Sequence, residues 1–388
     1  MLWFVVTGST FMLFWIYDGY GRCLQLLCRL QAVLKSPQSQ RLEPNPADSV
    51  PSITVLLTVH NEETVIQRRI DNLLACDYPA ERLEICIASD GSTDATNSIV
   101  RQLQHPQVRL LESPGLGKTA TQNLAMQQIC SDLVVFTDAD VEFEPAWFRR
   151  VVQRFQQPDV GAVDGRLFYG RPTTADVQAC EGYYWRYEMK LRDLESRLGL
   201  LAVLSGCCFA IRRSLFVEMD PSIGEDCIVP LDIVSSRHLV VHEPAALVFD
   251  EFGSDSSVTL RRRIRMTLRN WQGTWARSHL LNPFRHPGYA FALWSHKILR
   301  WLSPVFLLTA TLASALLVAL QPGPCSLLTF VPFAALFLLA GYHWVCGGRG
   351  RRVPGSGTAY SFVLANLAFM IGVWRALTGQ QIRAYRNQ

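Results

Sequence analysis

The first constraint on this chain is the separation of its apolar runs from its charges. Residues 1–17, "MLWFVVTGSTFMLFWIY", carry no charged side chain, and three further apolar stretches lie at the other end, about Trp301–Leu320, Ser326–Cys346 and Thr358–Trp374. Each of those three approaches the ~20 residues needed to cross the hydrocarbon core of a bilayer. The first stretch is barely long enough to span. It lacks the basic start and small-residue cleavage site of a signal peptide, so a membrane anchor is expected. Between the two ends, from about 50 to 285, the chain is polar and rich in charge, and long enough to bury a core of its own.

Basic residues near the spans set the expected orientation. Arg22, Arg29, Lys35 and Arg41 follow the first stretch, and "GGRGRR" (347–352) separates the last two, so both regions and the polar middle are expected on the cytoplasmic side. The uncharged hairpin "QPGPCS" (321–326) suits the far side. Four full crossings would place Arg375, Arg383 and Arg386 outside, against the rule; either the tail departs from it or one segment lies in the membrane without crossing. The formal charge of +4 gives no footprint for nucleic acid. The eleven cysteines show no C-x-x-C and no metal-like spacing, which suits reduced, buried thiols in a cytoplasmic domain.

The polar middle alternates strands with helices. "ITVLLTV" (53–59) is a buried strand, after which Asn61 can cap a helix; "LEICIASDGSTD" (83–94) repeats the arrangement, with a helix cap near Ser92 or Thr93. A third strand near Val108–Glu112 leads to "SPGLGKTATQNLA", and a fourth, Leu133–Thr137, ends in Asp138 and Asp140. This order predicts a mostly parallel sheet with flanking helices, whose ligands bind beyond the carboxyl ends of the strands. His60, Asn61 and Glu62, then Asp90 and Asp94, then Asp138 and Asp140 all fall at such ends. Carboxylates gathered in one crevice repel unless a cation offsets them, and a hard divalent ion, Mg²⁺ or Mn²⁺, suits oxygen donors together with phosphate. "GLGKTA" is not a P-loop, because Glu112 stands where its first glycine would be; Lys118 can still meet a diphosphate as a point charge or be a solvated helix-start lysine.

Further on, "SGCCFAIRRSLF" (205–216) reads as a turn feeding a strand, and "GEDCIVP" sets Glu225 beside Asp226. One of this pair can serve as general base, or both can simply dress a helix N-terminus. In "TLRRRIRMTLRNWQGTW" (259–275), Arg262, Arg265 and Arg269 share a helix face that suits either a leaving diphosphate or anionic headgroups.

The ordered series "TVHNEE", "SDGSTD", "GKTATQNLA", "FTDADV", "GEDCIVP" and "RRIRM" resembles membrane-embedded family 2 glycosyltransferases such as cellulose, chitin, hyaluronan and poly-N-acetylglucosamine synthases. The resemblance implies a GT-A fold and an inverting transfer from a nucleotide-diphosphate sugar, with UDP-sugar the expected donor. It divides the chain into an anchor (1–20), a linker (21–50), a cytoplasmic catalytic domain (51–255), interfacial basic helices (256–300), a transmembrane bundle (301–377) and a tail (378–388). It implies Asp226 as catalytic base and Asp140 as metal ligand. Thr58, Glu62, Asp90, Lys118, Asp138, Arg262 and Arg265 are implied on the nucleotide sugar, and Gly206 and Glu225 on the acceptor; Trp271 can stack on an acceptor sugar or be a membrane-interface aromatic. Implied partners are the donor, a saccharide or lipid acceptor, membrane lipids and the remainder of a synthase complex, in a multi-pass cell-membrane protein.

The departures are informative. The Q-x-x-R-W of processive members aligns with Arg262, Arg263, Ile264, Arg265 and Met266, keeping only the arginine; "VLSGC" (203–207) stands for F-F-C-G-S, and Gly224 replaces the threonine before Glu225. Transfer chemistry is retained, whereas processivity and a secretion channel lose their markers. The expected function is a membrane β-glycosyltransferase building a cell-surface polysaccharide or its lipid-linked precursor; a single-addition glycolipid synthase resembling ceramide glucosyltransferase, or a silent scaffold subunit, are the alternatives. Asp90, Asp140 and Asp226 together speak against silence.

Overall fold

The computed structural model describes residues 1–34, 50–170, 183–250, 256–346 and 353–380. Residues 35–49 of the expected linker, with Lys35 and Arg41, the loop 347–352 and the tail with Arg383 and Arg386 lie outside them. The chain divides into two compact units, one formed by 24–252 and 272–292, the other by 1–23, 253–271 and 293–381. It begins with α1 (Leu2–Phe14), a π-helical turn (Trp15–Gly19) and α2 (Tyr20–Leu34).

The first unit is built on an eight-stranded sheet. Its strands are β1 (Ile53–Val59), β2 (Leu83–Asp90), β3 (Val108–Ser113), β4 (Leu133–Thr137), β5 (Val141–Phe143), β6 (Val160–Tyr169), β7 (Cys208–Arg212) and β8 (Leu239–Asp250), in the order β3-β2-β1-β4-β7-β6-β8-β5. The parallel expectation holds for β3-β2-β1-β4. Beyond β4 the sheet is mixed: β7 runs antiparallel to β4 and β6, β8 is parallel to β6, and β5 is antiparallel to β8. Helices α3 (Ile66–Leu74), α4 (Thr96–Leu103), α5 (Lys118–Met126), α6 (Trp147–Arg154), α7 (Tyr183–Arg197) and α8 (Glu225–Ser235) flank it. β1 and β4 are buried nearly throughout, as central strands covered on both faces must be. One face of β1 (Ile53, Val55, Leu57, Val59) joins Ile66, Ile70 and Leu73 of α3 and Phe143, Trp147 and Phe148 in the main core.

Register decides what reaches the crevice. Leu56 pairs with Phe136 and Thr58 with Ala88, so Thr58, Asp90 and Asp138 share the face opposite that core, at the ends of three adjacent strands.

The second unit holds most of α9 (Ser256–Ala276). The short α10 (Pro287–Ala292) precedes a π-helical turn (Leu293–Ile298) and α11 (Leu299–Trp301). Three helices follow that are long and apolar enough to cross a membrane: α12 (Ser303–Leu320), α13 (Pro324–Cys346) and α14 (Ser356–Leu377). Within this unit Ser303 Oγ hydrogen-bonds Tyr17 Oη at 2.9 Å and Asn366 Oδ1 at 2.7 Å, a polar tie among apolar helices.

Candidate active site

The loops at the strand ends are locked to one another before any ligand arrives. Asn61 does not cap the first helix; it takes the left-handed conformation (φ 57°), and its Oδ1 accepts the N–H of Thr93 at 2.8 Å. Asparagine tolerates that backbone because its short amide can bond locally. The helix starts later, at Ile66. Neither Ser92 nor Thr93 caps α4, whose N-cap is Ala95; just before it, Asp94 Oδ1 accepts the N–H of Thr96 at 3.0 Å while its Oδ2 accepts the N–H of Glu63 at 3.1 Å. Glu63 returns a bond to the N–H of Ala95 at 2.9 Å.

Asp90 is buried, and its Oδ1 accepts from Gly117 N–H (3.0 Å), Thr121 Oγ1 (2.9 Å) and Ser113 Oγ (3.2 Å). One oxygen thus fixes the loop that starts α5, and the other takes no hydrogen bond among the described residues. The glycines of "GLGK" follow from this: Gly115 and Gly117 have φ of 78° and 94°, and Gly91 lies so near Gly115 that a Cβ on it would stand 2.9 Å from that backbone.

Two contacts tie α5 to the segment before α8. Thr119 Oγ1 donates to Ile223 O at 3.1 Å, and Asn123 holds both the N–H and the C=O of Met219, at 3.1 and 2.7 Å. This brings Lys118, at the start of α5, to Glu225, at the start of α8. Lys118 Nζ lies 2.6 Å from Asp138 Oδ1 and 2.5 Å from Glu225 Oε1. A lysine expected on a diphosphate is therefore a bridge between two carboxylates that the sequence keeps 87 residues apart. Its side chain is 13% exposed and that of Glu225 5%, so the pair sits where a charge needs a partner.

Asp140 is exposed and takes no hydrogen bond among the described residues. Burial, with the Asp140 and Glu225 carboxylates beside it, pushes Asp138 above its ordinary value, against the pull of Lys118. Glu62 is half-buried and raised as well, first by burial and then by Asp140, Asp138 and Asp94. Crowded carboxylates of this kind form a donor set suited to a hard divalent ion. Among the described residues no three His, Cys, Asp or Glu side chains form a metal cage. Thr58 Oγ1, on the same face, is buried with no hydrogen bond among the described residues.

Asp226 follows Glu225 in the first turn of α8, where the helix dipole favours a carboxylate. Gly206 explains its setting: a Cβ on Gly206 would lie 3.3 Å from Asp226 Cβ and 3.9 Å from Oδ2. The glycine expected on the acceptor is thus also the surface against which Asp226 rests.

Arg262, Arg265 and Trp271 belong to the other unit. There Arg262 is exposed and Arg265 partly exposed on α9, while Trp271 is 8% exposed with its ring centroid 5.9 Å from that of Trp301.

Sequence reasoning missed the support beneath the D-x-D pair. Arg69 is buried on α3, donating to Asp138 O (3.2 Å), Thr137 Oγ1 (2.7 Å) and Asn72 Oδ1 (2.5 Å), with its guanidinium 4.4 Å from the Phe143 ring centroid. Burial lowers its pKa to about 10, leaving it charged at neutral pH. The available signal was its place on the buried stripe Ile66, Ile70, Leu73.

The sequence model "Glycosyl transferase family 2" matches residues 54–219. A β-monoglucosyldiacylglycerol synthase of Synechocystis is 35% identical over 121 residues, 30% of this chain and 25% of that one. An N-acetylglucosaminyltransferase of Sinorhizobium fredii is 23% identical over 341 residues, 82% of this chain and 79% of that one. A probable glycosyltransferase of Bacillus subtilis, YdaM, is 25% identical over 57% of this chain and 56% of its own; like the Synechocystis protein, it is matched over less than two thirds of its length. The mannosyltransferase PcManGT from Pyrobaculum calidifontis, solved in complex with GDP-Man and Mn²⁺, has a TM-score of 0.70 at 22% identity, over 98% of this chain and 100% of that one, a likeness of fold.

Proposed function

We propose that this chain, a family 2 glycosyltransferase by its matched domain and with a GT-A-like fold, moves a sugar from a nucleotide-diphosphate sugar to a saccharide or lipid-linked acceptor at a membrane, with inversion. The observation that carries the reading is the lysine bridge. Lys118 joins Asp138, at the end of β4, to Glu225, and so brings the carboxylates of the strand ends beside Asp226 at the head of α8. A donor seated over the strand ends would meet Thr58, Glu62 and the free oxygen of Asp90, while Asp226 would stand across from its diphosphate.

In this reading Asp226 takes the proton of the acceptor hydroxyl as that oxygen attacks the anomeric carbon. The carbon–oxygen bond to the diphosphate breaks on the opposite face, and the electron pair leaves with the nucleotide. Asp140 and Asp138 would hold a divalent cation, which supplies charge neutralisation for the diphosphate. Lys118, already in the crevice, shields Asp138 from Glu225 and adds positive charge near the departing group. Mn²⁺ in the solved mannosyltransferase supports a divalent ion, with Mg²⁺ the alternative.

The N-terminal helix and α12–α14 are read as membrane segments, and the basic residues flanking them in the sequence support a cytoplasmic catalytic unit. A glycolipid acceptor has its own support in the β-monoglucosyldiacylglycerol synthases among the relatives. The test uses full-length protein in nanodiscs with a panel of UDP- and GDP-sugars and Mg²⁺ or Mn²⁺. Nucleotide release with one donor, lost in Asp226→Asn, is the expected result. Release that survives the substitution removes Asp226 from the base role, and no release or nucleotide binding with any donor overturns the reading.

A further inference from the structure

We infer that Asp164 and Arg192, a buried ion pair outside every motif above, are positioning residues that set the 205–208 turn and through it the orientation of Asp226. The inference rests on Asp226 acting as the base.

Asp164 lies on β6 with its side chain fully buried. Its Oδ1 accepts the backbone N–H of Ser205 at 2.8 Å, and its Oδ2 meets Arg192 Nη1 of α7 at 2.8 Å. The same Arg192 Nη1 donates to Ser205 Oγ at 2.6 Å. Ser205 is thus held by main chain and side chain at once, by charged partners from two different elements. Cys208 N–H closes on Ser205 O at 3.0 Å, so the four residues form a turn. The second residue of that turn is Gly206, whose open Cα faces the Asp226 side chain. A shift of Ser205 is passed to Gly206 and then to the carboxylate resting on it.

Packing alone does not explain the arrangement. Leu204 and Val203 are themselves buried and could anchor the loop by apolar contact. A buried ion pair is often no more stabilising than a well-packed apolar replacement, because desolvation offsets the attraction. What charged hydrogen bonds add is direction: a short N–H···O⁻ bond fixes an atom where an apolar contact lets it slide. Glu188 Oε1, 3.5 Å from Arg192 Nε, and His242 Nδ1, 3.4 Å from Asp164 Oδ2, complete the surroundings of the pair. Burial works against the charge of Asp164, yet Arg192 and His242 hold its carboxyl below the usual range, so the pair stays ionised.

The test compares wild type, Ser205→Ala and Asp164→Asn as full-length protein in nanodiscs. Ser205→Ala removes only the Arg192 bond to Oγ; Asp164→Asn keeps an acceptor for the Ser205 N–H and removes the charge opposite Arg192. The expected result has three parts. Amide exchange rises over 203–208 and 225–228 and is unchanged over 85–90 and 133–141. UDP binds as in wild type. Turnover of the active donor, read as nucleotide release to water, falls tenfold or more in kcat with the donor KM unchanged. A merely structural role would raise exchange across the unit and weaken UDP binding with it. Exchange at 225–228 that does not rise in either variant, or unchanged kcat, overturns the inference. If wild type releases no nucleotide from any donor, the transfer reading fails, and the exchange pattern alone still decides the positioning.

Discussion

The two halves of the sheet reach the crevice by different means. In the parallel half, β3-β2-β1-β4, polar residues arrive simply by being next after the strand, and adjacent strands bring Thr58, Asp90 and Asp138 onto one face. In the mixed half, Asp226 and Gly206 arrive from a helix start and a turn, and their placement depends on buried side chains of β6, α5 and α7. Regular topology positions the proposed donor side. Individual polar contacts position the proposed acceptor side, which should therefore be more sensitive to small substitutions.

The largest expected effect is on the acceptor side: Asp226→Asn lowers turnover by about 10²–10⁴-fold with nucleotide affinity unchanged, read by nucleotide release and calorimetry. A parallel loss of UDP binding would merge the two halves and break the comparison. Lys118 is the link between them. Lys118→Ala removes the buried cation that bridges Asp138 and Glu225, and a loss of about 3 kcal/mol in unfolding free energy is expected from denaturant titration. Gly206→Ala puts a methyl group 3.3 Å from Asp226 Cβ, so the carboxylate must shift by a few tenths of an ångström. A drop in kcat of roughly tenfold is expected, with the melting temperature and donor KM little changed.

The smallest effect concerns the donor side and pH. Glu62 and Asp138 both titrate above their ordinary values of 4.5 and 3.8. A raised folded-state value means that the stabilising contribution is full below the ordinary value and is lost as pH rises through the higher one. A divalent ion bound to the ionised cluster should offset that loss. Mn²⁺ should therefore raise the melting temperature by a few degrees at pH 7 and leave it unchanged at pH 4. Asp140→Ala should abolish the rise, and a rise equal at both pH values would place the ion elsewhere.

Much of the donor side was legible because strand, turn and helix each carry a local signature. Leu133–Thr137 is an unbroken run of apolar and β-branched residues, and a D-x-D at its end must lie beyond the sheet. The cap expected of Asn61 failed because its amide bonds across to the neighbouring loop, and a partner thirty residues away leaves no local mark. Arg69 carried a faint signal, a charge on an apolar stripe, whereas Asp164 on β6 carried none that separates it from an ordinary strand carboxylate.

The sequence by itself determined the apolar helices, the alternating strands and helices of the donor half, and the carboxylates at strand ends, because each depends on periodicity or on immediate neighbours. Only the tertiary structure decided that Lys118 bridges Asp138 and Glu225, that Gly206 backs Asp226, and that Asp164 and Arg192 hold Ser205. Those contacts join segments from 13 to 107 residues apart in the chain, and a charge declares its partner only when folding has removed the water between them.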